Sequence, residues 1–175
     1  MYPLVRLFRS AILSPSRAPL RVNEQSYFDF YVRPWDIDMF LELNNGRLLT
    51  LFDLGRFDLA GRCGLGRVLK AKRWGLVVAG STTRYRKRIR LFDRVTIATK
   101  LVAVDERWFY IEQTALVKDQ ACASALLRTA VTKNGRLHPT EDVAIAMNVD
   151  LSEQPPSGWC ADWINLEDER PWPPS

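Results

Sequence analysis

Hydrophobic and polar residues alternate early in the chain and then change period. In residues 27–33, YFDFYVR, Phe28, Phe30 and Val32 fall on one side of a two-residue repeat and Tyr27, Asp29, Tyr31 and Arg33 on the other, which predicts a half-buried strand. Pro34 has no N–H to give a ladder and ends it, so the segment carrying Asp36 and Asp38 follows as a loop or strand end. From Asn44 or Asn45, either of them a good N-cap, Leu48, Leu51, Phe52, Leu59 and Cys63 recur at helical spacing. Leu49, Leu54 and Phe57 widen that stripe, so the helix is expected to be covered on most sides, with Gly64 and Gly66 as its stop.

Three or four long strands come next: Leu76 to about Arg90, Val95 to Val104, Trp108 to Val117 and Ala121 to Thr132. The connectors LFD, DER and KDQ are short enough for hairpins or tight turns, which makes the sheet mostly antiparallel. NGRLHPTED is turn-like, TEDVAIAMNV predicts a further helix, and QPPSGWCADWINLEDE reads as a linker and a short helix capped by Ser157, with Trp159, Trp163 and Leu166 toward the body. A strand, one long buried helix and a run of antiparallel strands form an α+β pattern in which a sheet can wrap around the helix. Its open edges favour a dimer made by sheet extension.

The 175 residues fit one domain, placed at 27–150, with an N-terminal segment 1–26 before it and a C-terminal linker and short helix, 151–175, after it. In the N-terminal segment Leu4, Phe8, Ala11 and Ile12 share a helical side, read as a short helix packed on the domain; a weak membrane-surface contact is the alternative. Arg6 and Arg9 interrupt it before an apolar run of signal or spanning length develops. The net charge of +5 fits an anionic ligand, nucleic acid or an acidic membrane and selects none of them. Cys63, Cys122 and Cys160 are odd in number and far apart, so neither a disulfide framework nor a zinc site is expected, and the setting reads as reducing and cytoplasmic. The single histidine, His138, lies in the turn-like stretch, which argues against Ser-His-Asp triads and multi-histidine metal sites.

The candidate chemistry gathers in DIDMFLELNNGR, residues 36–47. Asp36 and Asp38 either cap the helix and pair with Arg33 and Arg47, or one of them is a site carboxylate; Asn44 and Asn45 read first as capping residues. Asp53 and Asp58 read as ordinary polar-face charges. In RYRKRIR, residues 84–90, a strand period puts Arg84, Arg86, Arg88 and Arg90 on one side. That row is a solvated or edge-protecting face, a clamp for phosphates, or, ranked last, a nucleic-acid contact.

The run RPWDIDMFLELNNGRLLTLFDLGRFDL, followed by TTRYRKRIRLFDRVTIATKL and DERWFYIEQTALV, resembles the hotdog-fold thioesterases of the 4-hydroxybenzoyl-CoA thioesterase-like superfamily, over about residues 20–135. The resemblance implies an antiparallel sheet around a central helix, dimers or dimers of dimers with sites at the dimer interface, and hydrolysis of a thioester such as an acyl-CoA with no metal or cofactor. Asp36, Asp38, Asn44, Asn45 and Arg47 match the pattern Asp-x-Asp-x-x-x-His-x-Asn-Asn-x-Arg-Tyr; Glu42 stands at its histidine and Leu48 at its tyrosine. By that resemblance Asp38 supplies the catalytic carboxylate, and backbone N–H groups near Asn45 polarise the thioester carbonyl. Glu42 then takes over base duty, pairs with an arginine, or marks a non-catalytic protein that binds an acyl ligand or another protein. Asp38 acts as nucleophile or as general base, Asn44 and the arginines at 84, 86 and 88 bind substrate, and no nucleic acid is expected as partner.

Overall fold

The computed structural model describes residues 17–152, 154–171 and 173. The expected helix and membrane contact within residues 1–16 lie outside them. β1 (Ser26–Tyr31) is followed by α1 (Asn45–Arg62), α2 (Leu65–Lys72), β2 (Gly75–Tyr85), β3 (Arg94–Val104), β4 (Phe109–Val117), β5 (Gln120–Lys133), β6 (Arg136–Leu137), α3 (Thr140–Met147) and α4 (Gly158–Glu169). The sheet runs β1-β3-β4-β5-β2, with β6 added to β5, and every pairing is antiparallel. Because β1 and β2 lie at opposite ends of that order, α1, which connects them, must cross the sheet. The α+β architecture of an antiparallel sheet around one long helix is the one the sequence pointed to.

The hydrophobic period sets how the layers meet. Leu48, Leu51, Phe52 and Leu54 of α1 pack on Val95, Ile97, Ala115, Ala125 and Leu127, which share one face of the sheet. At Gly55 the helix comes closest: a Cβ there would sit 2.5 Å from Thr99 Oγ1 and 2.9 Å from Gln113 Nε2. Gln113, fully buried, donates from Nε2 to the Phe52 carbonyl at 2.9 Å and to Thr99 Oγ1 at 2.9 Å, and its Oε1 accepts from Arg56 at 2.5 Å. A second cluster, Leu101, Phe109, Val131, Val143 and Leu151, seats α3 with Leu65, Leu69 and Trp74. On the opposite face of the sheet, the one to which Leu126 of β5 turns, a third cluster of Ala103, Tyr110, Leu126 and Cys160 receives Trp163 and Ile164 of α4.

Several elements differ from expectation. Gly64 does end α1, in a left-handed conformation (φ 88°), but Gly66 lies inside α2, a helix the sequence did not announce. β2 stops at Tyr85 rather than near Arg90. Its partner β5 starts at Gln120, and the N–H groups of Arg86 and Lys87 both turn to the Cys122 carbonyl, at 2.8 and 3.0 Å, where the ladder runs out. Phe57 points outward from α1, and on α4 Trp159 and Leu166 are exposed while Trp163 alone of the three turns to the body. Ser157 precedes α4 without a side-chain capping bond. Asp58 is buried, 1% exposed, where the Arg17 and Arg62 guanidiniums reach it at 2.8 and 3.3 Å, so it is no ordinary polar-face charge.

Candidate active site

Between β1 and α1 the chain makes a small hairpin whose base is tied to the helix by Asp36. That side chain is 1% exposed; its Oδ2 accepts the Arg33 N–H at 2.9 Å and its Oδ1 the Arg47 Nε–H at 2.7 Å. Its carbonyl accepts the Asn44 N–H at 2.9 Å, Ile37 bridges Leu43, and the Asp38 N–H reaches the Glu42 carbonyl at 2.8 Å. Asp36 is therefore the structural member of the pair, and pairing with Arg33 and Arg47 is what it does.

Asp38 is placed differently. It is only partly covered, its Oδ1 accepts the Phe40 N–H at 2.8 Å and more loosely the Glu42 N–H at 3.4 Å, and its Oδ2 has no partner among the described residues. Counting along the ladder from the Asp36–Asn44 pair to the Asp38–Glu42 pair gives about 7 Å between Asp38 and the helix cap. Asn44 is that cap: its Oδ1 accepts the Arg47 N–H at 3.0 Å. Asn45 and Gly46 open α1, and their N–H groups have no partner among the described residues, as the first donors of a helix must lack one within it. They stand at the positive end of the helix dipole. Gly46 as a donor was missed in the sequence; its signal was the glycine directly after the paired asparagines.

Glu42 is occupied. Arg88 Nε lies 3.1 Å from its Oε1, and its backbone bridges Arg90, while the Leu43 N–H bonds to the Ile89 carbonyl at 2.8 Å. Segment 86–93 thus lies alongside the hairpin instead of continuing β2, which overturns the expected row: only Arg84 belongs to the strand, and Arg86, Arg88 and Arg90 follow it outside the sheet. Asp38, Glu42, Asn44, Asn45 and Arg88 come together on this hairpin and its neighbour. Among the described residues no hydrogen bond or ion pair joins Arg84 or Arg86 side chains to them. Leu48, at the expected tyrosine position, is buried in the core.

Other reactive groups lie elsewhere. Asp53 pairs with Arg56 on α1. His138 packs against Trp74 with the rings tilted at 59° and their centroids 4.3 Å apart, and its Nε2 lies 3.7 Å from Asp142. Burial pushes the thiols of Cys63, Cys122 and Cys160 above their ordinary range, which works against thiolate chemistry, and all three are free. Among the described residues no group of three or more His, Cys, Asp and Glu side chains is arranged to hold a metal ion, and no helix is long and apolar enough to cross a membrane.

The hairpin and helix start lie within residues 32–157, which match the family model described as the thioesterase-like superfamily. The Protein THEM6 of Xenopus laevis is 35% identical over 106 residues, 61% of this chain and 51% of that protein; the chain spans about half the length of the curated relatives it matches. Among solved structures, the probable thioesterase YbaW of Escherichia coli superposes with a TM-score of 0.63 at 21% identity, over 69% of this chain and 95% of that one. A thioesterase of Thermus thermophilus, complexed with coenzyme A and Zn, superposes with a TM-score of 0.59 at 21% identity, over 71% and 96% of the two chains. These likenesses make the fold a hotdog. With a family match over more than half its length, the chain belongs to the thioesterase-like superfamily.

Proposed function

We propose that the chain hydrolyses an acyl-CoA thioester at the Asp38 hairpin. The observation that carries this is a half-open carboxylate oxygen on Asp38, two residues along one short ladder from the Asp36–Asn44 pair, followed directly by the N–H groups of Asn45 and Gly46, which have no partner among the described residues. A thioester carbonyl set against those donors has its developing oxyanion stabilised before reaction, by hydrogen bonds and the helix dipole together. Asp38 Oδ2 then attacks the carbonyl carbon, the C–S bond breaking to release the CoA thiolate and leave an acyl anhydride that water hydrolyses, or it takes a proton from a water that attacks that carbon with the same C–S bond breaking. Oδ1 stays bound to the Phe40 N–H, which fixes the carboxylate's orientation.

Coenzyme A in the Thermus thermophilus structure supports the substrate class. Arg84, Arg86 and Arg88 are all exposed and suit its phosphates, with Arg88 held nearest by Glu42, and Asn44 orders the turn against which the acyl group would lie. A homodimer or dimer of dimers, formed by extension of the β2 edge, which no strand covers among the described residues, would complete each site. The free cysteines support a cytoplasmic setting.

A second reading, an acyl-ligand or protein-binding module without turnover, is favoured by one observation: Glu42, at the expected histidine, is engaged by Arg88 rather than available as a base. Thiol release from short, long and aromatic acyl-CoAs separates the two. The hydrolase reading expects release from at least one, and a fall of about 100-fold or more in kcat for Asp38→Asn with the fold unchanged by circular dichroism. Wild-type rates in that variant would remove Asp38 from the mechanism, and co-purified ligand with no release from any substrate would establish the binding module.

A further inference from the structure

Segments 36–38, 42–44 and 88–90 form a small three-stranded antiparallel patch. Ile37 bridges Leu43, Glu42 bridges Arg90, and the Leu43 N–H bonds to the Ile89 carbonyl at 2.8 Å. Ile37, Leu43 and Ile89 make one cross-strand row and pack into the core. By the two-residue period their neighbours turn the other way, so Asp38, Glu42 and Arg90 make a row on the outer face, with Arg88 one step along on the same side.

In that row Glu42 stands between Asp38 and Arg90. The Asp38 N–H bonds to the Glu42 carbonyl at 2.8 Å, and Arg90 is the bridge partner of Glu42 on its other side. Like charges set opposite each other in a hairpin repel, so Glu42 costs stability where it is unless its charge has a use. Arg88 Nε lies 3.1 Å from Glu42 Oε1. The exposed Arg90 guanidinium has no carboxylate partner among the described residues; Asp93 Oδ2, nearby, accepts the Arg90 backbone N–H at 2.7 Å. Asp38 Oδ2 has no partner among them either. The strands carrying that carboxylate and that guanidinium are two spacings apart, about 10 Å, a gap an extended arginine closes. Glu42 fills the path and is the nearer carboxylate by one strand, so it competes first for the cation.

We infer that Glu42 is a positioning residue: it holds the arginines of segment 88–90 on its own side of the hairpin and so keeps Asp38 Oδ2 unpaired for the thioester. The inference rests on the reading of Asp38 as the site carboxylate. A carboxylate bonded to a guanidinium has its lone pairs occupied and its charge offset, and is the poorer nucleophile and base. The engagement of Glu42 by Arg88 then serves turnover instead of marking its loss. Size tells this role from that of a general base: an exposed arginine–carboxylate pair changes an occupancy by about fivefold at most, and loss of a general base costs about 100-fold or more.

The test compares kcat and KM for thiol release, on an acyl-CoA that wild type hydrolyses, in Glu42→Gln, Arg90→Gln and the double variant. Glu42→Gln is expected to lower kcat about fivefold at unchanged KM, Arg90→Gln to stay within about twofold of wild type, and the double variant to regain most of the loss. A loss that the double variant does not regain overturns the inference, and at about 100-fold or more it makes Glu42 the base. Wild-type kcat in Glu42→Gln overturns it too. Crystal structures of wild type and Glu42→Gln read the same point without substrate. The Arg90 guanidinium is expected within hydrogen-bond distance of Asp38 Oδ2 in the variant alone; an Asp38 left unpaired in the variant, or already paired with Arg90 in wild type, overturns the inference. A chain that releases thiol from no acyl-CoA removes the hydrolase reading, and the crystallographic comparison still decides what Glu42 holds.

Discussion

Replacing Gly55 by alanine should separate α1 from the sheet it crosses. The new methyl would meet Thr99 Oγ1 at 2.5 Å, Ile97 Cγ2 at 2.8 Å and Gln113 Nε2 at 2.9 Å, the nearest about 1 Å inside ordinary contact. None of these neighbours is a flexible tip with room to swing: all three residues are fully buried, and Gln113 and Thr99 are bonded to each other, with Gln113 bonded to α1 as well. Overpacking of this kind costs about 1–3 kcal/mol, and a buried amide pushed off its partners adds about 1–3 kcal/mol. Alanine's better helix propensity returns about 1 kcal/mol. The net is a loss of about 1–5 kcal/mol, or about 2–20 °C in Tm for a chain of this size. Gly46→Ala is the matched control, since a Cβ there meets only Asn44 Oδ1, at 3.4 Å, and should leave Tm near wild type. Thermal unfolding followed by circular dichroism reads both. A Gly55→Ala protein that melts at or above the wild-type temperature would refute the close approach of helix and sheet, and with it the positioning of the helix start.

Two further outcomes follow from buried polar groups. Arg47→Met removes the charge facing buried Asp36 and should cost about 2–4 kcal/mol in urea unfolding, because Asp36 stays desolvated with less to compensate it; a loss below about 0.5 kcal/mol would show that the pair holds nothing together. Tyr110 is fully buried and donates to Asp105 at 2.6 Å, and burial first, then that hydrogen bond and the negative charge, raise its pKa well above the ordinary 10.0. The unfolded chain then gives up this proton first, so the stabilisation is complete below about pH 10 and declines above it as the pH rises toward the folded value. Tyr110→Phe should accordingly be destabilised by about 1–3 kcal/mol at pH 8, with the gap to wild type closing above pH 10; a gap that widens there would reverse the assignment.

The layered α+β fold was legible because its signals are periodic and long. The alternation in 27–33 became β1, the stripe through Leu48, Leu51 and Phe52 became α1, and the turn-spaced runs after Val95 became three hairpin-linked strands. Boundaries failed where tertiary partners decide them. Nothing local in RYRKRIR says that the chain leaves β5 after Tyr85 to pair with the hairpin at Glu42 and Leu43, and a charge row at strand spacing therefore read as one face. α2 was lost because Gly64 and Gly66 read as one stop, whereas only the first adopts the left-handed conformation. Asp58 looked like a surface charge since its partners, Arg17 and Arg62, lie 41 and four residues away, and only folding brings the first to it. In the candidate site the pairing of Asp36 with Arg33 and Arg47 and an arginine partner for Glu42 were both among the stated alternatives; which arginine Glu42 meets, and that it comes from beyond the strand, required coordinates.

The seat of α4 has a consequence for how copies of this chain can be arranged. Cys160, Trp163 and Ile164 occupy the side of the sheet turned away from α1, over Ala103, Tyr110 and Leu126. Two sheets cannot be laid back to back across that patch unless the C-terminal helix is first lifted, uncovering an aromatic and an aliphatic side chain that no water now touches. Any higher-order packing that leaves the helix in place has to use the strand borders or the margins of the sheet, and shortening the chain ahead of Gly158 would open a flat surface that the intact protein keeps shut.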